Sequence, residues 1–431
     1  MLLMATLMER SQDLDRPFLV GRGMSVTLRD VVDRQSDHIG DVARGEIVAL
    51  VGDFDAVSIS DLFALIDRGA IVMPLSPLTR GDHEYFFESA GVTRVVENGV
   101  VSHRHAAEPS PLIAELRRRG NPGLILFSTG TTGRPKAILH DLSLFLERFA
   151  TPRPAFRTLS FLLFDHIGGI NTLLHTIFNS GTVIALRERS VEEVLRTCRD
   201  FDVEVLPATP TFLRLVVLAG VAKNEFGGSL KVVTYGTERM DQPTLAAVTE
   251  LLPDVDFRQT FGMSELGILR VKSKARDSLL MKVGGEGVST RVVDDVLHIW
   301  SPTRMMGYLN APSPFDEEGW YDTGDIVVED GDYIQVVGRK NNVINVGGLK
   351  FMASEIEDVA IRAQGVELVA VTSKSNPITG QHVEILVQPD GTGEFSVDEF
   401  RDFLRANLAT HMVPRKITLG AVPVGHRLKR I

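Results

Sequence analysis

With 431 residues, the chain is too long for one ordinary compact core and is expected to form two or three domains. An apolar fraction of 44% and a charged fraction of 24% are those of a globular protein, which excludes the disordered and fibrous classes. The net charge of -10 comes without a block of Lys and Arg, which argues against a nucleic-acid partner and leaves a small molecule as the expected substrate.

At the N-terminus, the apolar stretch Met1 to Met8 runs into Glu9, Arg10 and Asp13 without a basic start, which argues against a signal peptide. No uninterrupted apolar run reaches the length of a bilayer span. The next part alternates strands and helices. Ile47–Val51 reads as a strand, Val57–Asp67 as a helix and Ala70–Pro74 as a strand, a rhythm that favours parallel strands with crossover helices. After the polar break Arg117 to Pro122, the apolar run Leu124–Phe127 leads into Ser128-Thr129-Gly130-Thr131-Thr132-Gly133-Arg134-Pro135-Lys136. Glycines there allow a tight backbone with N–H groups close to an anion, and the hydroxyls and the lysine add donors, so this segment reads as a phosphate grip. It is not the common nucleotide loop, which ends Gly-Lys-Ser/Thr and opens a helix, because Pro135 disfavours a helical conformation at Arg134.

The same rhythm then resumes. Leu142–Phe149 is an expected helix, Leu159–Phe164 a strand, Ile170–Phe178 a helix, Val183–Leu186 and Val203–Leu206 strands, and Thr211–Leu218 a helix. The only cysteine, Cys198, lies in the expected helix Val191–Arg199; it excludes an intramolecular disulfide, fits a reducing cytoplasm, and reads as a buried neutral thiol. Leu230–Tyr235 is an expected strand, followed by the helix Pro243–Leu251 and the strand Asp256–Gln259. From Val292 onward the pattern changes to short strands, Val296–Trp300, Gly319 to Tyr321, Ile326–Val328 and Tyr333–Val337, which suggests a small β-rich region. A boundary is expected at Gly338-Arg339, dividing the chain into a large domain, 1–338, and a small α+β domain, 339–431. In the second, Ser354 with Glu357 and Ser396 with Glu399 read as capping boxes, and Leu368–Thr372 and Val383–Val387 as strands.

Four polar clusters fall at expected strand ends, where open α/β sheets bind ligands. The first, Tyr235-Gly236-Thr237-Glu238, and the second, Thr260-Phe261-Gly262-Met263-Ser264-Glu265, combine glycines that admit a flat ring with carboxylates. Glu265 could hold Mg²⁺ beside phosphate oxygens. The third is Tyr321-Asp322-Thr323-Gly324-Asp325 and the fourth Gly338-Arg339; Asp325 could accept from both ribose hydroxyls, and Arg339 could do similar work or pair with phosphate.

In order, these segments resemble the adenylate-forming superfamily of acyl-CoA synthetases, peptide-synthetase adenylation domains and luciferases. The resemblance runs from about Val48 to Lys429, and Ser128–Lys136 agrees with that family's Ser-Thr-Gly-Thr-Thr-Gly-x-Pro-Lys at every fixed position. Phe261–Glu265, Thr323-Gly324-Asp325, Gly338-Arg339, Gly347-Gly348 and Ser354–Glu357 carry the rest. The resemblance implies an α/β fold, a large N-terminal domain of mixed, mostly parallel sheets followed by a small mobile C-terminal domain. It implies that Ser128, Thr129, Gly130, Thr131, Thr132, Gly133 and Lys136 grip the ATP phosphates and that Glu265 holds Mg²⁺. Gly236, Thr237 and Glu238 would border adenine, Phe261 would stack on it, Ser264 would sit by the α-phosphate, and Asp325 and Arg339 would bind ribose. His166 matches a position beside the acyl pocket and reads equally as a structural histidine; Gly168, Tyr235 and Thr260 are further candidates for the acid's pocket. The catalytic lysine would be Lys429, with Leu428 where the family has glycine, and Asn341 stands at the hinge in place of aspartate or lysine. Gly348 would face the thiol's tunnel.

The implied activity is that of an acid-thiol ligase. A carboxylate attacks the α-phosphorus of ATP, pyrophosphate leaves, and a thiol takes the acyl group from the adenylate. Coenzyme A is the expected acceptor, with a carrier-protein phosphopantetheine as the alternative and a catalytically silent nucleotide-binding protein as the alternative of another class.

Overall fold

The computed structural model describes residues 3–11, 13–34, 37–105, 110–128, 134–285 and 287–425. Three seven-stranded sheets form the large N-terminal part and a five-stranded sheet the C-terminal part. The first sheet centres on the parallel strands Ile47–Val51, Ile71–Leu75 and Gly123–Phe127, with Ala137–Asp141 antiparallel beyond them and the two-residue strand Gly307–Tyr308 at its edge. These three central strands are buried at every position, which is why they read as unbroken apolar runs. Alternate side chains serve opposite cores: Ile47, Ala49 and Val51 face one, Val48 and Leu50 the other.

The second sheet runs Asp256–Gln259, Val232–Tyr235, Val205–Ala208, Arg157–Leu159, Thr182–Ala185, Pro17–Gly21 and Met24–Thr27, parallel except for its last hairpin. Helices Ala56–Asp67 and Ile167–Phe178 share one core with apolar residues of both sheets. The first of these begins where the sequence bends at Asp55, whose carboxylate accepts from the N–H groups of Val57 (3.0 Å) and Ser58 (2.9 Å). The apolar N-terminus is a helix, Leu3–Arg10, with Leu3 and Leu7 in the same core and Arg10 donating to the carbonyls of Phe149 (2.8 Å) and Phe178 (3.2 Å). Cys198 is buried in helix Val191–Asp200, and burial pushes its thiol up to about 12. Among the described residues no helix is long and apolar enough to cross a membrane.

The third sheet is antiparallel, from Phe261–Met263 through Gly267–Ser273, Met281–Gly284, Tyr333–Arg339, Tyr321–Asp330 and Val296–Trp300 to Ser289–Val293. Here the expected short pieces give way to one ten-residue strand, Tyr321–Asp330, which takes in Ile326–Val328 and Tyr321 but leaves Gly319 and Trp320 outside. Gly324 sits in it at φ 67°, and the register slips between Ile326 and Val327, so no single alternation marks it as one strand. The expected strand Leu159–Phe164 stops at Leu159, and its remaining apolar residues are a buried loop with Phe161 and Phe164 in different cores.

The third sheet's strand Tyr333–Arg339 ends at Arg339, a short 3-10 turn spans Lys340–Asn342, and strand Val343–Val346 starts the C-terminal sheet. That sheet, with helices Ala353–Ala360 and Val397–Asn407, has its own core around Ile344, Ile356, Val369, Ile385, Phe400 and Leu404. The Ser354–Glu357 capping box is not formed. The cap lies two residues earlier, at Met352, where Glu355 accepts from Met352 N–H (2.8 Å), and the two expected partners make tertiary bonds instead, Ser354 Oγ to Val337 O (2.6 Å) and Val371 N–H to Glu357 (3.1 Å). Ser396 does cap its helix, accepting from Glu399 N–H (3.3 Å). Two arginines of the large part reach the C-terminal part. Arg214 donates to the carbonyls of Ile361, Val366 and Glu367, and Arg239 pairs with Asp358, Nη1 to Oδ2 at 3.0 Å.

Candidate active site

Ser128 and Lys136 close the ends of two antiparallel strands, Ser128 N–H donating to Lys136 O (3.0 Å) and Lys136 N–H to Ser128 Oγ (3.1 Å). A strand, Ala137–Asp141, therefore follows the phosphate segment where the common nucleotide loop has a helix. Thr129, Gly130, Thr131, Thr132 and Gly133 lie outside the described residues, as does Lys429. The far limb of the segment is bracketed. Asn310 accepts from Ala137 N–H (2.9 Å) and donates to Pro135 O (3.2 Å), and Tyr85 OH donates to the same carbonyl (2.8 Å).

Lys136 Nζ lies 4.8 Å from the centre of the Tyr308 ring. On the other side Tyr308 OH donates to Glu265 Oε1 at 2.6 Å, in a buried contact. The Tyr321 phenol joins this pair through interactions with both Tyr308 and Glu265, and it also feels the Arg339 charge. Burial, reinforced by the neighbouring carboxylate, pushes both phenols well above the usual tyrosine range, so both stay protonated donors. Arg339 Nε pairs with Asp325 at 2.8 Å; the two residues are directly opposite in the hairpin of Tyr321–Asp330 and Tyr333–Arg339, and Asp325 is buried while Arg339 is exposed. A run of contacts thus leads from Lys136 through Tyr308 to Glu265, with the Tyr321 phenol interacting with the last two, and the Asp325–Arg339 pair lies in the hairpin whose first strand also carries Tyr321.

Backbone contacts hold the Ser264-Glu265 segment. His140 Nε2 donates to Ser264 O (2.7 Å) and Met305 N–H to Glu265 O (2.7 Å). Complete burial lowers the His140 ring from its ordinary 6.5 to about 4, which keeps it neutral with its proton on Nε2. Phe261 is half-buried in the short strand Phe261–Met263, whose Gly262 lies against Gly267 O.

At the ends of strands Val232–Tyr235 and Asp256–Gln259, Thr260 N–H and Oγ1 both donate to Tyr235 O, at 2.7 and 3.1 Å. A Cβ on Gly236 would lie 2.2 Å from Thr260 Oγ1, so only glycine lets the two strand ends approach this closely. Thr237 follows at φ 71°, a strained conformation for a β-branched residue. Glu238 accepts from Thr211 N–H (2.8 Å) at the start of helix Pro210–Leu218, where a carboxylate meets unpaired amides. Tyr235 is buried beside Phe212 and Met240, and its hydroxyl has no partner among the described residues.

His166 Nδ1 accepts from Gly168 N–H (3.1 Å) and so caps helix Ile167–Phe178. A side chain on Gly168 would strike Leu162, and one on Gly169 would strike Leu163 O, so the glycine pair has a packing reason for its identity. Gly347 and Gly348, at φ 62° and 89°, form the two-residue turn between strands Val343–Val346 and Leu349–Met352, and the turn is exposed. Tyr308, His140, Asn310 and Tyr85 were not among the site residues the sequence suggested; each is a single polar residue without periodicity or motif spacing, and only the fold brings it in, while Tyr321 opened the third polar cluster without a role of its own.

No group of three or more His, Cys, Asp or Glu that could hold a metal exists among the described residues. The site does offer the lone buried carboxylate of Glu265 near the phosphate segment's lysine, and this donor set suits Mg²⁺, which takes one or two carboxylates and completes its shell with phosphate oxygens and water.

The AMP-binding enzyme family model matches residues 11–309, and the model for the AMP-binding enzyme C-terminal domain matches residues 355–423. A 2-succinylbenzoate–CoA ligase of Listeria innocua is 24% identical over 440 residues, covering 93% of this chain and 91% of its own length. A 2-hydroxy-7-methoxy-5-methyl-1-naphthoate–CoA ligase of Streptomyces carzinostaticus is 28% identical over 354 residues, covering 74% and 63%. The fold is shared with the anthranilate CoA ligase AuaEII in complex with anthranoyl-AMP, at a TM-score of 0.82 and 17% identity over 100% of this chain and 95% of that one. It is also shared with ATP-bound MatB from Rhodopseudomonas palustris, at a TM-score of 0.80 and 19% identity over 98% and 96%. Matched by that model over 11–309, with the phosphate segment falling between two paired strands in the sequence, the chain belongs to the AMP-binding enzyme family.

Proposed function

We propose that the chain is an ATP-dependent acid-thiol ligase that activates a carboxylic acid as its adenylate and passes the acyl group to coenzyme A. The observation that carries this reading is the run of contacts from Lys136 through Tyr308 to Glu265, with the Asp325–Arg339 pair in the hairpin that also carries Tyr321, which offers phosphate, metal and ribose groups from two neighbouring sheets. A carboxylate and the α-phosphate are both anions, so bringing them together asks for neutralisation and alignment more than for proton transfer. Ser128 and Lys136 hold the polyphosphate, Asp325 and Arg339 the ribose, and Gly236, Thr237 and Phe261 border the adenine, with Ser264 beside the α-phosphate. Lys429 neutralises the approaching carboxylate. Glu265 would hold Mg²⁺, which supplies charge to the β- and γ-phosphates. The carboxylate oxygen bonds to the α-phosphorus as pyrophosphate leaves; the coenzyme A sulfur then bonds to the carbonyl carbon as AMP leaves. Gly347 and Gly348 allow a pantetheine arm to pass close to the backbone.

The test is ATP–pyrophosphate exchange over a panel of aryl, aliphatic and amino acids. Aryl acids come first because the two relatives and the anthranilate enzyme are named for them. The expected outcome is exchange with at least one simple carboxylic acid, followed by thioester formation with free coenzyme A. Exchange without transfer to coenzyme A, but with transfer to a phosphopantetheinyl carrier protein, would replace the acceptor. ATP binding with no exchange across the panel would overturn the enzyme reading.

A further inference from the structure

Two opposite charges of the site stand on either side of one aromatic ring. The Lys136 ammonium lies over the face of Tyr308 at 4.8 Å, and the Glu265 carboxylate accepts from its hydroxyl at 2.6 Å. Among the described residues Lys136 makes no ion pair. A lysine and a glutamate that paired directly would offer little charge to a phosphate or a cation. Here each group is engaged by the same tyrosine instead, the ammonium by its ring and the carboxylate by its hydroxyl. A phenol that donates to a carboxylate pushes electron density into its ring, which strengthens the ring's hold on a cation. The short strand that carries Tyr308 is pinned beside the phosphate segment by Gly307 and Tyr308 pairing with Leu139 and Ile138, and Met305 N–H binds Glu265 O. The backbone that carries the ring is therefore fixed beside both partners.

We propose that Tyr308 is a positioning residue that spaces the phosphate-binding lysine from the metal-binding carboxylate, its hydroxyl orienting Glu265 and its ring orienting Lys136. Tyr321 steadies the same carboxylate from the strand that also carries Asp325. The proposal rests on the functional reading above for what Lys136 and Glu265 bind, and on the geometry alone for what Tyr308 does to them.

The two halves of Tyr308 can be removed separately. Tyr308→Phe deletes the hydroxyl and keeps the ring; Tyr308→Leu deletes both. Calorimetric titration of the full chain with ATP, once in EDTA and once with saturating Mg²⁺, reads the two effects without turnover. Tyr308→Phe should leave metal-free ATP affinity within about twofold of wild type and cut the Mg²⁺-dependent gain in affinity roughly tenfold, the loss expected of one charge-assisted hydrogen bond. Tyr308→Leu should also weaken metal-free binding, because Lys136 is then able to collapse onto Glu265, and adding Glu265→Gln to Tyr308→Leu should restore part of that loss. The combination Tyr308→Phe with Glu265→Gln should be no worse for the metal-dependent gain than Glu265→Gln alone. Equal loss of metal-free and metal-dependent affinity in Tyr308→Phe, or strict additivity with Glu265→Gln, would overturn the proposal. Wild-type protein that shows the Mg²⁺-dependent gain but no exchange with any acid would sink the enzyme reading and leave the spacer standing.

Discussion

His140 is a small residue-scale case of how burial sets chemistry. Its ring is neutral because a cation there would lose its hydration and face Arg148, and its N–H supports the carbonyl of Ser264. Its folded value, about 4, lies below the unfolded 6.5, so the unfolded chain binds the extra proton first as pH falls. The stability it preserves is complete above pH 6.5 and is lost progressively towards pH 4. Wild-type protein should therefore lose about 2 kcal/mol more between pH 7 and pH 5 than His140→Gln, which keeps a donor for Ser264 O but cannot charge. Urea midpoints at the two pH values check this, and equal acid sensitivity in both proteins would show that the ring does not titrate as burial requires. The sequence placed Ser264 and Glu265 in the site through their motif, yet offered no reason to look at His140, whose neighbours in the chain are an ordinary buried strand.

Among elements, the paired ends of Val232–Tyr235 and Asp256–Gln259 decide how the nucleotide side of the site is built. Gly236 fits against Thr260 with no room for a methyl group, and Thr237 is forced into a left-handed conformation directly after it. Gly236→Ala should push the two strand ends apart, destabilise the protein by about 1–3 kcal/mol and weaken ATP binding. Urea unfolding and a nucleotide titration measure both; an unchanged midpoint with unchanged affinity would show that the contact is not tight. Parallel strands such as Ile47–Val51 were legible because burial on both faces demands apolar residues throughout. The strand Tyr321–Asp330 was legible only in pieces, since Gly324 and a register slip interrupt its alternation, and Ser354 was misread as a cap because its hydroxyl is used by Val337 in the other part of the chain.

Across the whole molecule, the C-terminal part is held to the large part by Arg214 and by the Arg239–Asp358 pair, while the Gly347-Gly348 turn stays exposed. Arg214 is a desolvated cation satisfied by three carbonyls, Ile361, Val366 and Glu367, all of which follow helix Ala353–Ala360. On the proposed reading, in which the small domain turns between half-reactions, we assign these contacts, made with the glycine turn in solvent, to the adenylating orientation. Arg239→Ala should thus slow pyrophosphate exchange about threefold to fivefold, on the order of 1 kcal/mol, and spare acyl transfer from a preformed adenylate. The charge exchange Arg239→Asp with Asp358→Arg should recover part of the loss. Equal slowing of both half-reactions would show that the pair supports the fold and does not choose between orientations.

The chain's local chemistry was enough to identify the phosphate segment, most central strands and helices, and the ordered motifs that mark the family, because each depends on residues close together in sequence. Glycine, proline and hydroxyl spacing from Ser128 to Lys136 is of that kind. What only the tertiary structure decided is how Lys136, Tyr308, Glu265, Tyr321, Arg339 and Asp325 come together. Those side chains come from the first and third sheets and from the turn that joins the third sheet's strands Phe261–Met263 and Gly267–Ser273, and their neighbourhood is set by strand pairing and backbone bonds that no periodicity records.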